Sequence, residues 1–286
     1  MGTTTVRRAT RKDAQACGRI IYEAFKSVAI EYGTIPDFTS EQEATLACFA
    51  ALAHPGYYGV VVESEGKVVG TVIIDERDSV AGSMGLAVDP KVPGLGLVGI
   101  QLQRHMINRC IERNQPIRGL VATSHHRGYT MDRRFGFELR DPILWMEGPP
   151  LQREVPGHPV RTATREDIEA CNQLCVRAHG VPRGGALLDG VLSKNALVVE
   201  REGRITGYWA QTGTGHAVAE TTKDLQALIC AASKFLGGGG PLVPAGNVEL
   251  FRWCYDNGFR VIRTLVQVTR GDWRPSELPY LSSTSW

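Results

Sequence analysis

Gly85-Leu86-Ala87-Val88-Asp89-Pro90-Lys91-Val92-Pro93-Gly94-Leu95-Gly96-Leu97-Val98-Gly99 is the stretch on which the fold turns. Residues 86–88 form an apolar strand that Asp89-Pro90 stops, and a glycine-rich loop then enters a helical pattern over residues 100–113. A strand, a loop and a helix start in that order bring free backbone N–H groups and the positive helix end together, which makes an anion cradle. Gly94-Leu95-Gly96-Leu97-Val98-Gly99 also spells G-x-G-x-x-G, the dinucleotide fingerprint. That motif belongs after the first strand of a βαβ unit, with an acid about 20 residues later. Here the loop comes late, after a helical pair and a hairpin, and the next strand, residues 117–123, runs into Ser124-His125-His126 without an acid. A Walker-type Gly-Lys-Ser/Thr is absent. A glycine-rich surface turn with no ligand is the plain alternative.

Outward from the loop, the chain repeats itself. Residues 6–17, VRRATRKDAQAC, return at 160–171 as VRTATREDIEAC, identical at eight of twelve positions with an offset of 154. Each copy predicts a short strand, a turn and a helix capped by Thr10 or Thr164, with Asp13 or Asp167 in its first turn. VVESEGKVVG at 61–70 matches VVEREGRITG at 198–207, and both predict hairpins with a Glu-Gly turn. Gly136-Phe137 matches Gly258-Phe259, each closing a helix and opening a strand. The offset falls from 154 to 137 to 122, so the second copy has lost 17 and then 15 residues. A Pro-rich stretch marks the boundary. The expected domains are residues 1–148 and 160–286, with 149–159 as linker.

Composition bounds the functional classes. The chain has 286 residues, 43% of them hydrophobic and 22% charged, which suits two packed soluble domains and excludes global disorder. Its 32 basic and 30 acidic side chains leave a net charge of +2, no footprint for duplex nucleic acid or an anionic membrane. No apolar run approaches the ~20 residues of a membrane span, and residues 1–11 lack the apolar segment of a secretory signal. Seven scattered cysteines, an odd number, predict reduced, buried thiols in a cytoplasmic protein.

Strand, helical pair, hairpin, third long strand, glycine loop, helix, strand, short helix and Gly-Phe strand is an order that resembles the GNAT-type N-acetyltransferases. The resemblance covers nearly the whole chain, as two tandem copies. Its carriers are Val88-Asp89-Pro90, the loop from Gly94 to Gly99, and Gly136-Phe137 after a short helix. It implies an α/β (α+β) architecture of two tandem domains, each a mixed twisted sheet flanked by helices. It also implies an acyl-CoA co-substrate, acetyl-CoA in the simplest case, and no metal. The pantetheine arm would pair with Leu86, Ala87 and Val88, and the pyrophosphate would lie on the N–H groups of Gly94, Leu95, Gly96, Leu97, Val98 and Gly99. Positioning and a hydrogen bond to the developing oxyanion suffice for thioester chemistry, and a base or water takes the proton of the attacking amine.

The chain departs from the family pattern at several positions. Pro93, which has no N–H, stands where Gln or Arg is usual, and the branched Val98 stands where Gly or Ala is usual, so its side chain is expected to crowd a phosphate. The family tyrosine that protonates the leaving thiolate is matched by Asp132, and a common asparagine by His125. Tyr129, one turn before Asp132, is a substitute proton donor, and His125 or His126 at the strand end is a base or acid. Glu76 and Asp75, where the third strand ends, are further candidate bases. Each has a structural alternative as a packed or solvated residue. In the second copy the loop position reads Ala219-Glu220-Thr221-Thr222-Lys223-Asp224-Leu225 without glycine, and Cys254 holds the tyrosine position, although Asn247 is kept. That copy is expected not to hold CoA. Its tail, residues 273–286, is expected to strap across the domain junction.

The leading expectation is transfer of an acyl group to the amine of a small molecule. An alternative donor, on a carrier protein or an aminoacyl-tRNA, suits a weakened pyrophosphate loop. A non-catalytic ligand-binding protein on the same fold and a nicotinamide oxidoreductase complete the field. Residues 32–58 are expected to face the acceptor.

Overall fold

In the computed structural model, which describes residues 4–92, 94–125, 133–151, 153–211, 213–233 and 240–284, the repeated motif folds the same way twice. Strand β1 (Thr4–Arg8) leads to Thr10, whose N–H and hydroxyl both donate to Asp13 in a capping box ahead of helix α1 (Ala14–Tyr32). Arg7 grips the same carboxylate at 2.7 and 3.0 Å and reaches Glu63 at 2.6 Å. In the second copy Arg161 holds Asp167 at 2.7 and 2.8 Å and Glu200 at 2.8 Å, and Thr164 closes the same box. Glu63 and Glu200 belong to the hairpin match, so two separate fragments of the repeat meet in one ion cluster. The hairpins themselves turn at Glu65-Gly66 (φ 51° and 74°) and Glu202-Gly203 (φ 52° and 74°), the paired positive dihedrals of a type I′ turn. Gly136 (φ 79°) and Gly258 (φ 87°) close their helices, and Phe137 and Phe259 are buried behind them.

The chain divides into two compact units. The first holds Met1–Glu76, Val80–Arg118 and Ser124–Phe137. Its strands run in the order β1, β2 (Tyr57–Ser64), β3 (Lys67–Asp75), β4 (Ala81–Val88) and then the first two residues of β5 (Ile117–Ala122), antiparallel until β5 joins β4 in parallel. Cys17, Ile20, Ile21 and Phe25 recur at helical spacing on α1 and pack, with α2 (Glu41–Ala53), over Val61, Ile73 and Ala87. A Cβ on Gly18 would lie 2.4 Å from the Thr45 backbone, so the glycine sets how closely α1 and α2 approach. Helix α3 (Leu95–Glu112) covers the opposite face: a Cβ on Gly70 of β3 would meet Val98 at 2.7 Å and Leu102 at 3.0 Å.

The second unit holds Arg77–Ser79, Gly119–Thr123 and Glu138–Trp286. Strand β6 (Glu138–Glu147) precedes β7 (Val160–Thr162), α4 (Ile168–His179), α5 (Gly184–Leu192), β8 (Ala196–Arg201), β9 (Arg204–Ala210) and β10 (His216–Ala219). Helix α6 (Thr222–Ala232), β11 (Leu242–Pro244), α7 (Val248–Asp256), β12 (Arg260–Arg270) and β13 (Tyr280–Leu281) complete it. Five strands form a sheet in the order β13-β10-β9-β8-β7 around a core of Leu197, Val199, Trp209, Leu225 and Leu228. The unit boundary at Phe137/Glu138 departs from the expected end of the first domain at residue 148. The reason is β6: it belongs to the first repeat by sequence, yet pairs antiparallel with β12 on one edge and β11 on the other. Residues 149–159 act as more than a spacer. Leu151 and Val155 pack on the second core, and His158 donates to Asp224 at 2.8 Å. All seven cysteines are buried and none is in a disulfide, as their scatter in the sequence predicted. Among the described residues no helix is long and apolar enough to cross a membrane, and no group of three or more His, Cys, Asp or Glu is arranged to hold a metal.

Candidate functional site

The quoted stretch folds as strand β4, a short loop and the start of α3. Asp89 anchors the loop: its N–H donates to the Val69 carbonyl, and its carboxylate accepts from the Lys91 N–H at 3.0 Å and from Arg19 of α1 at 2.8 Å. Burial pushes this carboxyl up, but the Lys91 N–H and the Arg19 guanidinium outweigh burial and hold it below the usual carboxylate range. Gly94 then takes a left-handed conformation (φ 80°) at the N-cap, and its carbonyl accepts from Leu97 at 2.9 Å. Among the described residues no side chain caps α3, and its first turn carries no acid. The first N–H groups of an 18-residue helix therefore face outward without a side-chain acceptor. A Cβ on Gly96 would meet nothing within 4 Å, and one on Gly99 would meet Val88 at 3.9 Å, so the space over this turn is open and the two glycines leave the helix start uncovered.

Val98 does not obstruct that cradle, contrary to the expectation of crowding. Its side chain is buried beneath the sheet against Gly70, because the fourth residue past the N-cap points down onto β3. Gly70 makes the room that Val98 needs. Pro93 lies outside the described residues.

The outer edge of β4 is the second component. Its parallel ladder with β5 has two pairs, Ala81 with Ile117 and Gly82 with Arg118, and a bulge lies opposite Ile73 and Ile74. Leu86, Ala87 and Val88 pair with Val72, Thr71 and Gly70 of β3 and have no second ladder among the described residues. An edge of this kind accepts an extended ligand that can bond to backbone N–H and C=O groups. Open edge and open helix start are joined by one loop.

The candidate proton-transfer groups fare differently. His125 follows β5, half-buried, with its ring 6.2 Å from Tyr32 at the end of α1. Glu76 is half-buried, and both its oxygens accept from Arg109 of α3, at 2.8 and 3.0 Å. Arg109 in turn lies 4.2 Å from the Tyr58 ring centroid. Proton abstraction by Glu76 would first require this bidentate pair to open. Asp75 is buried beside it in sequence. His126, Tyr129 and Asp132 lie outside the described residues. Sequence reasoning passed over Arg19 and Arg109, and reached Tyr32 only as the first residue of the segment 32–58. The signal available for Arg19 was an arginine within the apolar pattern of the first helix, 70 residues from its partner.

No family model matches the sequence, and no curated protein matches it. Solved structures do. A candidate acetyltransferase from Pyrococcus horikoshii superposes with a TM-score of 0.71 at 15% identity, over 94% of this chain and 89% of that one. A GCN5-related N-acetyltransferase from Sphaerobacter thermophilus gives 0.60 at 17% identity, over 93% and 95%. A tandem GNAT protein from the clavulanic acid biosynthesis pathway gives 0.57 at 13% identity, over 94% and 98%. At these identities the likeness is one of fold, and the chain has a tandem GNAT-type fold.

Proposed function

We propose that the protein is an acyltransferase that moves an acyl group, acetyl in the simplest case, from acyl-CoA to the amine of a small molecule. One observation carries this reading: the open edge of β4 leads directly into the uncapped, glycine-lined start of α3. Leu86, Ala87 and Val88 would hold the extended pantetheine arm, and the N–H groups of Gly94, Leu95 and Gly96 the diphosphate; of the other expected donors, Leu97 bonds to Gly94 and Val98 and Gly99 lie within the helical ladder. Acyl-CoA supplies a thioester, whose C–S bond breaks as the new C–N bond forms. His125 would take the amine proton, with Tyr129 and Asp132 in the following segment as candidate donors to the leaving sulfur. Glu76, held by Arg109, fixes the strand end from which β4 departs. The near-balanced charge suits a small acceptor better than nucleic acid.

Calorimetry with acetyl-CoA, CoA and NADH tests the donor, with one equivalent of CoA expected and no response to NADH. No CoA heat at millimolar concentration would sink the proposal. CoA binding without thiol release across a broad amine panel would instead identify a ligand-binding protein. If turnover is seen, His125→Ala should lower kcat by a factor of roughly 10²–10⁴ and remove the acid limb of the pH–rate profile, where protonation silences the base. An unchanged profile would take His125 out of the chemistry.

A further inference from the structure

Strand β10 of the second unit is the counterpart of β4. Gly70 and Gly207 match in the hairpin repeat, and Val88 pairs with Gly70 as Ala219 pairs with Gly207. Leu86, Ala87 and Val88 therefore correspond to Ala217, Val218 and Ala219. The next residues agree as well: the Asp89 N–H donates to Val69 and the Glu220 N–H to Thr206, and each carboxylate is tied to the preceding helix, by Arg19 and Arg177 at 2.8 and 2.9 Å.

What lies along the outer edge differs. In the first unit that edge of residues 86–88 carries no ladder among the described residues. In the second, β13 occupies it: Ala217 pairs with Leu281, Val218 with Tyr280, and the Ala219 N–H donates to the Pro279 carbonyl at 3.0 Å. On its far side the same tail meets β11, the strand that follows α6 as β5 follows α3, where the Ser282 N–H donates to Leu242 at 3.0 Å. Residues 279–282 thus lie between β10 and β11. Leu281, Ser282 and Ser283 are buried, and Leu281 joins the core of Leu225, Leu228 and Trp209. Upstream, Arg274 donates to the carbonyls of Val176 and Arg177 at the end of α4, and Glu277 to that of Ala178. The tail is built into the second unit.

The helix start differs in the same sense. A Cβ on Gly207 would meet Leu228 at 3.4 Å, as one on Gly70 meets Leu102 at 3.0 Å, so Asp224 takes the place of Val98 one turn earlier. Five residues of loop are therefore missing between Glu220 and Asp224, and Thr221 caps the helix by accepting from the Asp224 N–H. The buried Asp224 carboxylate accepts from His158, Arg201, Thr206 and Thr221.

We propose that the second repeat keeps a donor slot that is filled from within, with residues 279–282 standing where an extended acyl-carrying arm would pair in the first repeat. Asp224 and its partners close the helix start that would otherwise receive the nucleotide end. The chain then takes one acyl donor, in the first unit, and its own residues 279–282 are the occupant of the second slot. This meaning of the slot rests on the acyl-donor reading above.

The test uses the full chain with a protease site placed at the exposed turn Gly271-Asp272, cut after folding. The tail fragment should remain bound through gel filtration, and Leu281→Asp should release it. Pantetheine at millimolar concentration should hasten release of the cut wild-type tail, and adenosine 3′,5′-bisphosphate should not, because the slot keeps the arm position and has lost the nucleotide loop. Intact protein should titrate with one equivalent of CoA. Immediate loss of the cut wild-type tail, indifference to pantetheine, or two equivalents of CoA on the intact chain would each overturn the proposal. Zero equivalents with the tail retained would instead overturn the acyl-donor reading, and with it the tail's meaning as a donor stand-in. The retention measurement on the wild-type sequence keeps the test valid if Leu281→Asp fails to fold.

Discussion

Helices α3 and α6 begin at equivalent points of the two repeats, and they begin in opposite ways. Helix α3 starts from a left-handed glycine with no side-chain cap and no acid in its first turn. Helix α6 starts from Thr221, which caps it, with Asp224 buried in its first turn. Everything behind these starts is held in common: the Arg-Asp-Glu cluster, the type I′ hairpin and the closing Gly-Phe pair. The skeleton that maintains the fold is therefore separable from the few residues that leave one helix start exposed. Exposure of a helix start is costly where nothing binds, and the second copy has ended that cost with its own side chains.

Four measurements would break or sharpen this contrast. Asp224→Ala should have the largest effect, because it strands Arg201 and His158 without their buried partner. A loss of about 3–5 kcal/mol is expected for such a change, read as an earlier denaturant transition. A variant within 1 kcal/mol of the parent would show that α6 needs no internal anion. Next, Gly96→Glu fills the cradle of α3 and puts a negative charge there. CoA affinity should fall on the order of 100-fold, about 2.7 kcal/mol, whereas Lys223→Glu on the exposed first turn of α6 should leave the titration unchanged. Equal effects from the two would erase the distinction between the helices.

The third measurement concerns what the copies share. Hydrogen bonds from Arg7, opposed by partial burial, hold the Asp13 carboxyl at about 2 against an ordinary 3.8, and Arg161 lowers Asp167 in the same way. A depressed carboxyl stabilises the fold above its unfolded value and loses that contribution as pH falls through the folded one. Asp13 should thus contribute about 2 kcal/mol at neutral pH, lost between about pH 4 and pH 2. Arg7→Ala should flatten the acid limb of a stability–pH curve, and an unaltered limb would assign acid sensitivity elsewhere. Last, Gly70→Ala should cost about 1–2 kcal/mol by driving a methyl into Val98, and Gly207→Ala less, since its nearest neighbour is the Ala219 methyl at 3.0 Å. The reverse order of melting temperatures would contradict the matched register.

Most of the skeleton was legible because its signals are local. Capping boxes, Glu-Gly turns and Gly-Phe closures each depend on residues within about four positions, and all stand where the repeat predicted them. The direction of Val98 was misjudged because a helix's phase follows from where its N-cap falls, which the loop sequence leaves open. Glu76 reads as a solvated acid until Arg109 is brought to it from 33 residues away. The tail looked like a surface strap, since prolines and serines around Tyr280-Leu281 give no strand pattern, and its pairing partner lies more than 60 residues earlier. Long-range pairing of this kind is written in the partner's vacant edge and not in the segment itself.

Strand β6 has a consequence for the newborn chain. Both of its neighbours, β11 and β12, lie about 100 residues or more downstream, so β6 leaves the ribosome with neither edge paired. At ~5–20 residues per second it waits roughly 5–20 s for them, an interval in which an apolar strand invites association with other chains. Arg140-Asp141-Pro142 interrupts it with two charges and a residue that cannot donate a backbone hydrogen bond, the kind of gatekeeping that keeps an unpaired strand soluble until its partners arrive.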